Sequence, residues 1–233
     1  MNEDTTIIIP TKNNQEHIEK TIQQISEHMK KHINIKQIII TDNCSTDETL
    51  PKTIHQIHHL KNKNILLITQ PKPTTEKKTI IIALEQARTP ITIILEPNPN
   101  TRLHQIQHQI KKLRKADIIL PSRHHKESKT KFLNTKEKII NKTTNQIIRL
   151  ITKLPYTDLT NTNKAFKTQK TLQILKKTKT THLYWAELIM IAKKKKIKIT
   201  ETRTHWKQHY TNNKKNISYL LNTIREIKKI KNS

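Results

Sequence analysis

Short isoleucine-rich runs alternate with longer polar stretches that carry apolar residues at helical spacing, and this alternation restricts the chain more than any single motif. TTIIIPT (Thr5–Thr11), IKQIIIT (Ile35–Thr41), NILLIT (Asn64–Thr69), ITIIL (Ile91–Leu95) and ADIIL (Ala116–Leu120, stopping at Pro121) read as buried strands. Ile18, Ile22, Ile25 and Met29 form a helical stripe within His17–Lys31. Leu50, Ile54 and Ile57 form another, with Ser45 or Thr46 as its N-cap. TIIIALEQA and the stretch Arg102–Lys115 supply a third and a fourth helix. Strands separated by helices in this way pair in parallel through right-handed crossovers. The expected fold class is therefore α/β, a doubly wound, mainly parallel sheet with helices on both faces.

A chain of 233 residues that is 33% hydrophobic can fill such a core when its apolar residues are segmented in this way. Glycine is absent, which excludes the Gly-rich dinucleotide fingerprint and the P-loop, since both need close backbone approach or positive φ. Valine is absent as well, which suggests a coding strand poor in guanine and leaves tight turns to Asn and Asp. The single Cys44 excludes an internal disulfide and a cysteine-based zinc site. There is no apolar run of membrane-span length, and MNEDTT lacks the layout of a secretory signal, so a cytoplasmic location is expected. A net charge of +27 predicts attraction to polyanions.

In doubly wound sheets ligands bind beyond the carboxyl ends of the strands. The residues expected there are Pro10, Thr11 and Asn13, then Asp42 and Asn43, then Glu96 and Asn98, then Ser122 and Arg123. Acids clustered at one edge suit a divalent cation and a neighbouring arginine suits phosphate, so a phosphorylated ligand held through a metal is the chemistry implied.

After Arg123 the alternation stops. KESKTKFLNTKEK reads as a mobile basic loop, a helix is expected over Glu137–Thr152, and YTDLTNTNKAFKT is a polar segment too long for a tight turn. THLYWAELIMIAKKKK reads as a helix carrying Glu187, and KIKIT as a strand. NISYLLNTIREIKKI gives an amphipathic helix with Ile217, Leu220, Leu221, Ile224 and Ile227 on one face and basic residues on the other. The organisation expected is one domain over residues 1–211, with a basic amphipathic helix over 212–233 that packs on it or meets an anionic membrane surface.

Taken in order, these segments resemble the family 2 glycosyltransferases, within them the polyprenyl-phosphate (dolichol-phosphate) mannosyl- and glucosyltransferase branch. IIIPTKNNQEHIEKTIQQI is similar to that family's strand, Pro-Thr-x-Asn turn and helix, and IIITDNCSTDET to its nucleotide-binding segment through Asp42, Ser45, Asp47 and Thr49. ITIILEPNPN falls where the family carries its metal-binding DxD, and ADIILPSRHH resembles the segment ending in Ser-Arg. YTDLTNTNKAFKT resembles the Asp-(x)5-Lys/Arg-x-Phe stretch, and YWAELIMIAKKKKIKITETRTHW the distal helix, strand and Glu-x-x-x-x-Trp run. The likeness covers about residues 5–206. Departures fall at Asn43, Cys44, Glu76-Lys77-Lys78, Glu96-Pro97-Asn98, Thr162-Asn163 and Trp185.

The resemblance implies a GT-A-like nucleotide-diphospho-sugar transferase fold and transfer from a nucleotide diphosphate sugar to a polyprenyl phosphate or similar acceptor, with inversion. Pro10, Thr11, Asn13, Asp42, Ser45, Asp47 and Glu96 are then expected at the nucleotide sugar. Glu96 and Asn98 would hold Mg2+ or Mn2+, Arg123 and Lys164 would bind phosphate, and Asp158 and Glu187 would organise the site. Were the acceptor a hydroxyl, Asp158 would be the candidate base.

Three alternatives compete. The altered acids suggest a pseudoenzyme that binds or scaffolds without turnover. The charge suggests a nucleic-acid binder, but only 3% of residues are aromatic and none interleave with basic residues as stacking platforms, so no specific nucleic acid is expected. HQIHH (His55–His59) and HQIQH (His104–His108) place histidines on one helix face, where a solvated surface is the commoner outcome than a metal site.

Overall fold

The structure is a computed structural model and describes residues 3–32, 34–97, 103–208, 219 and 222–227. Its elements are β1 (Thr5–Thr11), α1 (Ile18–Lys31), β2 (Ile35–Asp42), α2 (Thr49–Leu60), β3 (Ile65–Thr69), α3 (Glu76–Gln86), β4 (Ile91–Ile94) and α4 (His104–Leu113). They continue with β5 (Ile118–Ser122), β6 (Lys129–Lys131), α5 (Thr135–Thr152), β7 (Lys164–Lys167), α6 (Thr168–Leu175), α7 (Tyr184–Lys194), β8 (Ile199–Arg203) and β9 (His205–Lys207). Seven strands form one sheet in the order β3-β2-β1-β4-β7-β5-β8. β1 to β4 pair in parallel, β5 pairs in parallel with β8, and β7 runs antiparallel between β4 and β5.

The isoleucine runs of β1, β2, β4 and β5 are strands because both faces of the sheet are covered there and each run is buried, whereas the edge strand β3, expected to be buried, has Ile65, Leu66, Leu67 and Ile68 only partly buried. Ile7, Ile9, Ile38, Ile40, Ile91 and Ile93 point into one core with Ile18, Ile22 and Ile25 of α1 and Ile106, Ile110 and Leu113 of α4. The intervening Ile8, Ile39 and Ile94 point into the other, with α3 (Ile80, Leu84), α6 (Leu172, Leu175) and α7 (Leu188, Ile189). Each such side chain contributes about 1.5–3 kcal/mol, so the runs dominate the stability of the fold.

The structure corrects several local expectations. α2 starts at Thr49 rather than just after Ser45 or Thr46, and Asp47 accepts the Thr49 amide at 3.0 Å. Ile54 is 53% exposed, while Thr49 and Thr53 form the buried face of that helix. β5 continues through Pro121, because its pairing with β7 has ended by then and the proline ring removes no ladder bond on that side. The basic loop contains β6, which pairs with β9 across Lys129↔His205 and Lys131↔Lys207. The long polar segment leads directly into β7 and α6. Among the described residues positive φ falls on Asn13, Cys44, Lys61, Lys153 and Lys196, so Lys takes more of these positions than Asn and Asp together. Lys61 and Lys153 end α2 and α5 where glycine is the usual residue.

Residues 222–227 are helical and dock on the domain, with Ile227 2% exposed in the core that contains α7. Glu226 accepts from the Thr181 amide and hydroxyl on one oxygen and from the His182 and Leu183 amides on the other, at 2.6–3.0 Å, and so holds the turn that leads into α7. Ile217, Leu220 and Leu221 of the expected amphipathic face lie outside the described residues. Replacing Glu226 by Ala leaves these donors buried without a charged acceptor and is expected to cost about 2–3 kcal/mol. Thermal unfolding should show a midpoint lowered by roughly 4–12 °C; an unchanged midpoint would mean that Glu226 does not anchor this turn. Among the described residues no helix is long and apolar enough to cross a membrane.

Candidate active site

Three loops meet at the carboxyl edge of β1 and β2. Asp42, 1% exposed, accepts the Ser45 amide at 3.0 Å and the Ser45 hydroxyl on its other oxygen. This closes a turn whose middle residue, Cys44, has φ 55°. The Asn13 amide donates to the Ser45 hydroxyl oxygen at 3.0 Å, and the Thr46 amide donates back to Asn13 Oδ1 at 2.9 Å. Asp47 also accepts from the Gln15 amide at 3.4 Å. Burial pushes the Asp47 carboxyl up, but the hydrogen bonds from Thr49 and Gln15 outweigh it and hold it below the usual range. Asn43 exchanges two hydrogen bonds with the backbone of Thr74, at 2.8 and 2.9 Å, which ties in the loop before α3. Asn13, Ser45 and Asp47 therefore weld this rim together, with Pro10 and Thr11 paired to Thr41 and Asp42 behind it.

On the far side of β4 the polar segment is held by side chains rather than by secondary structure. Asn145 Oδ1 accepts the Leu159 amide at 2.7 Å, Glu201 accepts the Thr157 amide at 2.6 Å, and Asn161 donates to the Pro121 carbonyl at 2.7 Å. This fixes Asp158, which is fully buried, against Arg123. Arg123 Nε and Nη2 donate to the two carboxylate oxygens at 2.7 and 2.8 Å, and the Arg123 amide adds a third bond at 2.9 Å. Burial raises the Asp158 carboxyl, yet the charge and hydrogen bonds of Arg123 hold it far below the carboxylate range, so it has little affinity for a proton. The Arg123 guanidinium also stacks on the Trp206 ring at 5.3 Å.

Because β7 is antiparallel, its first residue sits at the same edge as the ends of β4 and β5, with Lys164 in register with Ile94. Lys164 is 1% exposed, donates to the Asn161 carbonyl, and lies 4.8 Å from the centre of the Trp185 ring. Burial lowers its pKa to about 7; Asp158, Glu76 and Glu96 pull it up, and Arg123 pushes it down. Glu96 is half-buried, and its amide donates to Asn163 Oδ1 at 2.7 Å. Asn98 lies outside the described residues.

The structure thus brings Glu96, Arg123, Asp158 and Lys164 to one place and adds Glu76, from the start of α3, which the sequence reading noted only as a departure. Tyr219 joins them: burial pushes its hydroxyl up to about 12, with Arg123, Glu76 and Asp158 among the charges acting on it. Glu187 is committed elsewhere, since its carboxylate accepts the Lys179 and Thr180 amides and the Thr180 hydroxyl at 2.7–2.9 Å. Among the described residues no three or more His, Cys, Asp or Glu side chains could by themselves hold a metal ion, the two histidine clusters included.

The sequence profile described as Glycosyl transferase family 2 matches residues 6–175, a span that contains the Asp42 rim, Glu96 and the Arg123–Asp158–Lys164 group. The chain belongs to glycosyltransferase family 2. No curated protein matches this transferase by sequence. Among solved structures it is similar to glucosyl-3-phosphoglycerate synthase from Mycobacterium tuberculosis in complex with Mn2+, uridine diphosphate and phosphoglyceric acid, with a TM-score of 0.70 and 11% identity over 98% of this chain and 77% of that one. The same synthase with Mg2+ and uridine diphosphate gives 0.68 and 12% over 98% and 78%. A mycobacterial protein gives 0.70 and 11% over 98% and 73%. At these identities the likeness establishes the fold, a GT-A-like arrangement.

Proposed function

We propose that this family 2 glycosyltransferase moves a sugar, with inversion, from a nucleoside diphosphate onto the phosphate of an acceptor, polyprenyl phosphate being the acceptor its sequence motifs favour. The observation that carries the reading is the convergence of Lys164, Arg123–Asp158 and Glu96 beside the Asp42 rim. Similar folds crystallised with uridine diphosphate and a phosphorylated acid support a phosphate-bearing acceptor in general. A polyprenyl phosphate would be presented at a membrane, and a net charge of +27 suits an anionic one.

A phosphate acceptor is already ionised near neutral pH, so its oxygen attacks the anomeric carbon without losing a proton to the protein. The bond between that carbon and the diphosphate oxygen breaks, and the diphosphate leaves with the electron pair. The chain supplies cations where this charge accumulates: Lys164, and Arg123 held rigid by Asp158. Asp158, with so little proton affinity, acts as a positioning residue for Arg123 rather than as a base.

Mg2+ and Mn2+ are bound through one or two carboxylates together with substrate phosphates and water, and a single edge carboxylate meets that requirement. Glu96 fits, since it takes part in no ion pair among the described residues. Such an ion would neutralise charge on the departing diphosphate. Calorimetry with UDP and GDP is expected to show binding that requires Mg2+ and weakens about tenfold or more in Glu96→Ala. Binding indifferent to metal, or absent, would favour the pseudoenzyme.

A further inference from the structure

Among the described residues four large hydrophobic side chains are exposed, and three of them, Leu133, Ile139 and Leu150, belong to α5 or to the residue before its N-cap, Asn134. Exposed apolar residues scattered singly are ordinary, whereas a cluster on one helix marks a contact surface. Ile139 and Leu150 are 59% and 78% exposed and stand eleven residues apart, about three turns, so they share one line along the helix. The opposite, buried face is mostly polar: Asn141, Thr144 and Asn145, with Ile148. α5 is thus polar inside and apolar outside, the reverse of an ordinary surface helix.

The inner face is polar because it holds the site. Asn145 Oδ1 accepts the Leu159 amide at 2.7 Å, and Asn145 Nδ2 donates at 3.1 Å to the Thr160 hydroxyl oxygen, which also accepts from Arg123 Nη2 at 3.0 Å. Asn141 Oδ1 and His124 Nε2 share a hydrogen bond of 2.8 Å. These bonds account for the inner residues and leave the outer ones without a role. By helical spacing the outer line is flanked on one side by Ile140, Ile147 and Ile151, all half-buried, and on the other by Lys138, Lys142 and Arg149. Lys136, Lys138, Lys142 and Lys153 are exposed, and the single acid of the helix, Glu137, is engaged by Gln208. The helix carries no aromatic residue to anchor in a protein pocket or to stack on a base. Aliphatic side chains bordered by lysines match an anionic lipid surface instead.

We propose that the outer face of α5 docks on an anionic lipid bilayer, with Ile139 and Leu150 entering the boundary between headgroups and acyl chains while the lysines meet lipid phosphates. The helix lies in that surface and does not cross it. The proposal deepens the phosphate-acceptor reading above and rests on it: Arg123 is tied to the inner side of α5, so docking brings the headgroup layer to about one helix diameter, 10–12 Å, from the cation that an acceptor phosphate needs. The full chain is sedimented with vesicles of phosphatidylcholine alone, and of phosphatidylcholine and phosphatidylglycerol in equal parts. It should bind the second about tenfold or more tightly than the first. Ile139→Gln combined with Leu150→Gln removes exposed apolar surface and no charge, and should weaken binding to the mixed vesicles about tenfold or more at an unchanged thermal midpoint. The combined Lys136→Gln, Lys138→Gln, Lys142→Gln variant should lose about tenfold or more on the mixed vesicles and nothing on phosphatidylcholine. Ile54→Gln, which removes the fourth exposed apolar side chain, on α2, should stay within about twofold of wild type. UDP affinity with Mg2+, measured by calorimetry without vesicles, should stay within about twofold in every variant.

Unchanged vesicle binding in the Ile139→Gln, Leu150→Gln variant would overturn the docking face, and so would an equal loss in Ile54→Gln. A loss as large from Lys193→Gln, Lys194→Gln, Lys195→Gln as from the α5 lysines would mean that net charge alone binds the lipid, and would overturn it as well. A wild-type dimer that the Ile139→Gln, Leu150→Gln variant dissociates, with no vesicle binding, would make the face an interface between copies and end the proposal. If the chain binds vesicles through α5 and fails to bind UDP, the transferase reading falls and the surface stands. If UDP binds and vesicles do not, the surface falls and the transferase reading stands with a phosphorylated acceptor free in solution.

Discussion

Replacing Asp158 by Asn is expected to destabilise the transferase by about 3–5 kcal/mol, because it leaves the Arg123 charge buried without its counter-ion. For a chain of this size that corresponds to a thermal midpoint lowered by roughly 6–20 °C. Activity should disappear with it, since Arg123 would no longer be clamped at both carboxylate oxygens. Asp158→Asn combined with Arg123→Met removes the orphaned charge, so the double variant should recover much of the midpoint and none of the activity. That contrast separates the pair's contribution to folding from its part in the chemistry. The native carboxyl is held far below its unfolded value, so its stabilisation is complete above the ordinary carboxylate range and is lost as pH falls below about 4 toward the folded value. The Asn variant should lack that portion of the acid slope. A midpoint within about 2 °C of wild type would show that the pair is not buried as described.

Much of the sheet was legible because β1, β2, β4 and β5 are buried on both faces and therefore read as apolar, isoleucine-rich runs. What escaped was structure whose burial is not written in apolar letters. β7 is a central strand, yet it begins and ends with lysine, and the burial of Lys164 depends on Asp158, Glu76, Glu96 and the Trp185 ring. None of those partners is near it in a helical or strand period. β6 and β9 are three residues each, too short for a period of two to stand out, and they meet only because β5 and β8 bring their ends together. Ser128 and Thr204 complete that junction.

The site was legible as a set of edge residues, and the roles within the set follow from partners that only the fold supplies. Asp42, Ser45 and Asp47 were expected at the nucleotide sugar, and the structure shows them closing the rim through hydrogen bonds to backbone amides and one another. Glu187 and Glu226 look alike in sequence as acids on apolar helices. Each instead satisfies backbone amides of residues 179–183, the irregular segment between α6 and α7 whose N–H groups have no ladder or helix to bond into. Trp185 occupies a position where the resembled family carries an acid, and its ring lies 4.8 Å from the Lys164 ammonium. A carboxylate there would raise the proton affinity of Lys164 strongly, whereas a ring stabilises the cation more weakly and leaves the amine close to neutrality.

That placement sets the second large effect. An amine buried to a pKa of about 7 is charged in the unfolded chain up to about pH 10.5, so between these values the unfolded state binds one proton more than the native state. Stability therefore rises with pH across this window, and the full penalty of a buried ammonium is present below pH 7. Lys164→Met should abolish that rise and be at least as stable as wild type at pH 6. Ligand binding should respond in the opposite sense. A bound diphosphate favours the ammonium, so UDP binding at pH 8 draws in a proton, and affinity falls by up to about tenfold per pH unit above 7. Calorimetry in two buffers of different ionisation enthalpy measures the uptake directly. Lys164→Met should bind UDP about a hundredfold more weakly, near 2.7 kcal/mol, with no proton uptake and no pH dependence in that range. Wild-type binding that takes up no proton between pH 7 and 9 would place the diphosphate away from Lys164, and Glu96 would then remain as the edge group holding it through a metal.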